Sequence, residues 1–124
     1  VVILAFGSMV GPALEVGDKI NATVIDMRFV KPLDEELIGD MATRHQLVVT
    51  LEENVVLGGA GSAVNEFLLR SNYQIPILNL GLPDTFIEHG KVPEMLARVS
   101  LESDSVARAI EKKLKDCKIQ SEAV

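Results

Sequence analysis

The sequence predicts a three-layer α/β domain, a mostly parallel central sheet with helices on both faces. Short β-branched runs alternate with stretches of helical period in the order strand, helix, strand, helix, strand, helix, strand. The first run, Val1 to Phe6, is apolar without interruption, as expected for a strand covered on both faces. The length also fits: 124 residues, 48% hydrophobic and 24% charged. That suits one globular domain burying about two-thirds of its unfolded surface.

Each element follows from local chemistry. Gly7-Ser8 closes the first strand, and Met9, Ala13, Val16 and Ile20 recur at helical spacing. Pro12 is tolerable in a first turn, whereas Gly17 weakens the helix by up to ~1 kcal/mol relative to alanine and implies close packing on the sheet. Residues 22–27 read as a second strand. Asp34 is a good N-cap, with Glu35 and Glu36 in the first turn and Leu33 and Ile38 at the spacing of a hydrophobic staple. Leu37, Ile38, Met41 and Ala42 form the buried stripe of that helix. A third strand spans 47–51, and a six-residue loop leads to Gly58-Gly59-Ala60-Gly61 and a helix buried through Ala63, Val64, Phe67 and Leu68. Residues 75–80 make a fourth strand, with Pro76 at its start or on an edge. Helical patterns follow at 92–99 and 103–117; in the second, Ser103 is a candidate cap and Val106, Ile110, Leu114 and Cys117 line one face. Residues 1–117 therefore form one domain, and 118–124 a tail expected to be disordered.

Charge narrows the function. Twelve Lys+Arg against 18 Asp+Glu give a net charge of −6, which argues against nucleic acid or an anionic membrane surface as partner. No apolar run approaches the ~18 residues of a membrane span, and no signal peptide opens the chain. Cys117 is the single cysteine, so no internal disulfide forms, and a reducing compartment is the simplest reading. Val1 already lies in a strand-like run, as in a piece of a longer protein.

In an open parallel sheet, ligands bind outside the carboxyl ends of the strands where strand order reverses. For the order 2-1-3-4 that point is flanked by Gly7-Ser8-Met9 and by Glu52-Glu53-Asn54. This is the best geometric candidate, yet it brings no histidine or base, and such carboxylates are more often solvated or cap helices. Gly58-Gly59-Ala60-Gly61-Ser62 invites a phosphate-loop reading. Val64 stands where a dinucleotide fingerprint wants Gly or Ala, and no lysine follows for a Walker loop. Tight packing of small residues at a helix start is the preferred account. His45, at a helix end beside Arg44, reads as structural. His89 sits with Phe86 in a loop of exposed character. Neither histidine has metal-ligand spacing. Cys117, on a buried stripe, is expected to be inert. Arg28 and Lys31 flank Phe29-Val30 in an irregular segment; they either clamp an anion or meet the carboxylates of a partner domain. The residues alone give no catalytic constellation.

Three segments carry a resemblance: MRFVKPLD at 27–34, EENVVLGGAGSAVNE at 52–66 and NLGLPDTFIEHG at 79–90. In this order and spacing they resemble the C-terminal domain of transketolase-like, thiamine-diphosphate-dependent enzymes, and among these the 1-deoxy-D-xylulose-5-phosphate synthases. The resemblance implies the last part of a multi-domain enzyme that condenses pyruvate with glyceraldehyde 3-phosphate and releases carbon dioxide. It further implies a homodimer, with thiamine diphosphate and Mg²⁺ held by the preceding domains. The family's Gly-Asp-Gly metal motif is missing: Gly17-Asp18 runs into Lys19, and Gly39-Asp40 into Met41. No catalytic, cofactor or metal residue is therefore carried onto this chain. Glu52, Glu53, Gly58, Gly59, Gly61 and Ser62 transfer as signature positions with a structural or interface role. Arg28, Lys31, Phe86 and His89 are expected to face the preceding domain or the dimer partner. A bacterial cytoplasm, or a plastid stroma for a plant or alga, is the implied setting. The competing expectations are a regulatory small-ligand module in the switch-point crevice, and the matching domain of a transketolase or 2-oxoacid dehydrogenase β subunit.

Overall fold

The computed structural model describes residues 1–55, 58–82 and 102–122. β1 (Val2–Ala5) leads through a 3-10 turn at Gly7–Met9 into α1 (Val10–Ile20). β2 (Thr23–Asp26), α2 (Glu35–Arg44), β3 (Val48–Val55), α3 (Ala60–Arg70), β4 (Ile77–Leu82) and α4 (Ser103–Glu122) follow. The sheet runs β2-β1-β3-β4 with every neighbour parallel. β1 lies between β2 and β3 in matched register, Ile3 beside both Val24 and Val49. All four residues of β1 are buried, which explains its unbroken apolar run.

Period-2 alternation divides the core. Val2, Leu4 and Val48 point to one face and pack with Ile38, Met41, Val64 and Leu68 of α2 and α3. Ile3, Ala5, Val49 and Leu51 point to the other and pack with Ala13, Val16, Val106 and Ile110 of α1 and α4. The three layers are thus α1/α4, sheet and α2/α3.

The helix ends follow their sequence signals. Asp34 Oδ1 accepts from Leu37 N at 3.1 Å and caps α2. α1 ends at Asn21, whose left-handed φ of 55° suits an asparagine. A Cβ on Gly17 would lie 2.7 Å from Val24 Cγ2, so only glycine lets α1 approach β2 this closely. His45 ends α2 by donating from Nδ1 to the Met41 carbonyl at 2.8 Å, with Nε2 3.1 Å from Thr23 Oγ1. Its role is structural.

Four expectations change. β3 does not end at Leu51; it continues through Glu52–Val55 with a pairing irregularity against β4, so the first part of the expected loop is strand. β4 starts at Ile77, just after Pro76, whose carbonyl accepts from Val48 N. Cys117 is half-buried and free, not part of a sealed stripe, and residues 118–120 beyond it are exposed. α4 runs past 117 as far as Glu122, into the stretch expected as a tail. The pattern at 92–99, together with Phe86 and His89, lies outside the described residues.

Candidate functional site

The observed order places the switch point between β1 and β3. Gly7 turns the chain there with φ 62°, a left-handed conformation that favours glycine, and a Cβ would meet nothing within 4 Å. Ser8, next on the turn, donates its hydroxyl to Glu53 Oε2 on β3. Beside them opens a crevice of about 330 Å³, lined by Gly7, Ser8, Met27, Arg28, Val30 and Glu53.

Glu52 does not join this crevice. Successive strand residues face opposite sides, so Glu53 turns toward Ser8 and Glu52 toward α3. Glu52 is 0% exposed, and its two oxygens accept from Ala60 N at 2.9 Å and Gly61 N at 2.6 Å. The switch point therefore holds one of the two expected carboxylates. Its neighbour stabilises the first turn of a helix from inside the protein, where a negative charge suits both the free N–H groups and the helix dipole.

The same contact decides the glycine-rich segment. The helix start that would receive a phosphate already donates two N–H groups to Glu52. A Cβ on Gly61 would lie 2.6 Å from Thr50 Oγ1 and 2.9 Å from Asn79 Nδ2, so the helix rests directly on the sheet. Gly58 has φ 77° and donates from its backbone to Ser62 Oγ at 3.1 Å. Behind the helix start, Asn79 Nδ2 donates to the buried Thr50 Oγ1 at 2.6 Å, and Asn65 Nδ2 donates to Asn79 Oδ1 at 2.6 Å. This polar chain was missed from sequence; its one signal was Asn79 in the middle of an apolar strand.

Arg28 and Lys31 are exposed on the connection from β2 to α2, and among the described residues neither makes an ion pair. The Lys31–Pro32 peptide bond is cis. Between them Phe29 is 67% exposed and Val30 37%. A second cleft of about 240 Å³ runs under this loop, with Asp26, Met27, Phe29, Pro32 and Leu37 among its walls.

Among the described residues no group of three His, Cys, Asp or Glu side chains is placed to hold a metal ion. Among the same residues no helix is long and apolar enough to cross a membrane.

An open all-parallel sheet of order 2-1-3-4, with a glycine turn at its switch point and a carboxylate-capped glycine-rich helix start, defines the class as a three-layer α/β domain. Residues 1–106 match the family model described as transketolase, C-terminal domain, and the chain belongs to that family. A 1-deoxy-D-xylulose-5-phosphate synthase of Pseudomonas savastanoi pv. phaseolicola is 54% identical over 114 residues, 92% of this chain and 18% of the relative. One from Hahella chejuensis is 52% identical over 120 residues, 97% of this chain and 19% of the relative. Among solved structures, a split gene transketolase described as an inactive beta4 tetramer aligns with a TM-score of 0.82 at 38% identity, covering 92% of this chain and 39% of that one. The chain thus spans under a fifth of the length of the synthases it matches.

Proposed function

We propose that this chain is the C-terminal domain of a 1-deoxy-D-xylulose-5-phosphate synthase, and that it supports the assembly of the enzyme without contributing a catalytic group. The observation that carries the reading is 54% identity spread over 92% of the chain yet confined to 18% of the synthase. The whole enzyme would condense pyruvate with glyceraldehyde 3-phosphate and release carbon dioxide. Thiamine diphosphate with Mg²⁺, bound by the preceding domains, would supply the carbanion chemistry. This chain's part is geometric. A rigid body that fixes the separation of catalytic domains matters, because ~1 Å of misplacement at a reacting centre can cost ~100-fold in rate. The buried Glu52 supports this role, since it occupies the helix start with a protein anion.

The reading includes a homodimer and a bacterial cytoplasm. The relatives are bacterial, and a single cysteine has no partner for an internal disulfide. A regulatory ligand module in the switch-point crevice is less well supported, because Ser8 and Glu53 already satisfy each other there.

The test compares the full-length enzyme with one truncated just before Val1, measuring carbon dioxide release and thiamine diphosphate binding. Loss of turnover with binding retained is expected. Full turnover in the truncated enzyme overturns the assembly role, and no turnover in the full-length enzyme overturns the synthase assignment.

A further inference from the structure

We infer that the loop Arg28–Lys31 is a docking knob, seated in an apolar pocket rimmed by carboxylates on the larger body of the same polypeptide. The inference rests on the proposed function above, because it takes its partner from the rest of the synthase. Phe29 is 67% exposed and Val30 37%, consecutive in one loop, and an exposed aromatic next to a second apolar side chain is a ready anchor for a partner surface. Arg28 and Lys31 stand on either side, both exposed and, among the described residues, without an ion pair.

The knob is held at both ends. Met27 is buried and its N–H donates to the Ala5 carbonyl at 2.8 Å, continuing the sheet ladder into the loop. On the other side Leu33 packs against the α2/α3 core and Asp34 caps α2. Between these ends Arg28 to Lys31 are all exposed, with Val30 on the wall of the switch-point crevice and Phe29 on that of the second cleft. A tip with fixed ends loses little conformational freedom on docking, which is what makes an aromatic side chain an effective anchor.

Charge and chain length select the occupant. Asp26, Asp34 and Glu53 line the clefts beside the loop, yet among the described residues neither Arg28 nor Lys31 pairs with a carboxylate, so both cations remain to meet an acidic rim. The synthases matched have more than four-fifths of their length outside the region this chain covers, so the partner surface is available within the same polypeptide. A covalently linked partner also acts at high effective concentration, so a knob of two apolar residues suffices.

The experiment uses the full-length enzyme carrying V30C. Maleimide labelling at residue 30, read by peptide mass, is expected to be slower in the native enzyme than in urea by about tenfold or more, as burial requires opening before reaction. R28E/K31E in the same enzyme is expected to bring the native rate back toward the urea rate. Equal native and urea rates in an enzyme that still releases carbon dioxide overturn the docking knob while leaving the functional assignment standing. Protection that disappears on dilution assigns the contact to a second copy and overturns the choice of partner. Protection unchanged by R28E/K31E overturns the acidic rim.

Discussion

Glu52 shows how one side chain settles the meaning of a motif. Its carboxylate is sealed from water and satisfies two N–H groups at the start of α3. Removing it leaves both donors unpartnered in a dry interior, where each unsatisfied group costs about 1–3 kcal/mol. E52A is therefore expected to destabilise by about 2 kcal/mol or more, and E52Q by less, since its amide keeps one acceptor oxygen. Urea midpoints of the two variants check this; a loss below about 0.5 kcal/mol for E52A would mean that water replaces the carboxylate. The sequence could not have shown it. Adjacent glutamates at the end of an apolar run read as a solvated loop, and only the continuation of β3 past Leu51 turns one of them inward. Gly61 was legible as a packing glycine, whereas the Thr50–Asn79–Asn65 chain it covers was not, because its members lie on three separate elements.

At the scale of elements, Gly17 sets helix propensity against packing. Alanine there would gain up to ~1 kcal/mol of helix propensity. Its Cβ would also lie 2.7 Å from Val24 Cγ2 and 3.2 Å from the Ala22 carbonyl, and overpacking of this kind costs about 1–3 kcal/mol. The clash wins, so G17A is expected to lower the melting temperature of the domain. In a V24A background the same substitution is expected to become neutral or stabilising, since the closest atom is gone; equal losses in both backgrounds would refute the packing account. A second contact joins α1 to α4: Lys19 Nζ meets the Asp104 carboxylate and, at 2.9 Å, Ser103 Oγ. The hydrogen bond and charge of Lys19 hold the Asp104 carboxyl below its ordinary value of 3.8. A depressed carboxyl stabilises the fold above its ordinary value and loses that contribution as pH falls through the folded value. The stability difference between wild type and D104N should therefore be small and constant above pH 3.8, and close below it. Denaturation midpoints across that range measure it, and a difference that grew on acidification would contradict the pairing. Boundaries such as the start of β4 were less legible than the helices, since apolar period marks a buried face and not where pairing begins.

For the whole molecule, the alternation of elements made three layers legible, and the length of the connections made a parallel sheet legible. Which helices share a face was not, because a helical stripe says that it is buried and not against what. The structure pairs the first helix with the last across the longest separation in the chain. That pairing makes the C-terminal helix part of the core. Val106 and Ile110 are fully buried and Ala107 nearly so, over Ile3, Ala5, Val49 and Leu51 of the sheet. Each large apolar side chain buried contributes about 1.5–3 kcal/mol, and the sheet residues uncovered by losing α4 add to the deficit. The sum is comparable to the roughly 5–15 kcal/mol of an entire domain. A stop after Glu102 in the full-length enzyme is thus expected to unfold this domain, read as rapid proteolysis within residues 1–102 while the preceding domains survive. A stop after Cys117 removes an overhang in which Ile119 is 63% exposed, and it should leave proteolytic resistance unchanged. If both truncated chains resist proteolysis, α4 is an appendage. If only the shorter chain collapses, the far end of the sequence closes the layer that the first strand opens.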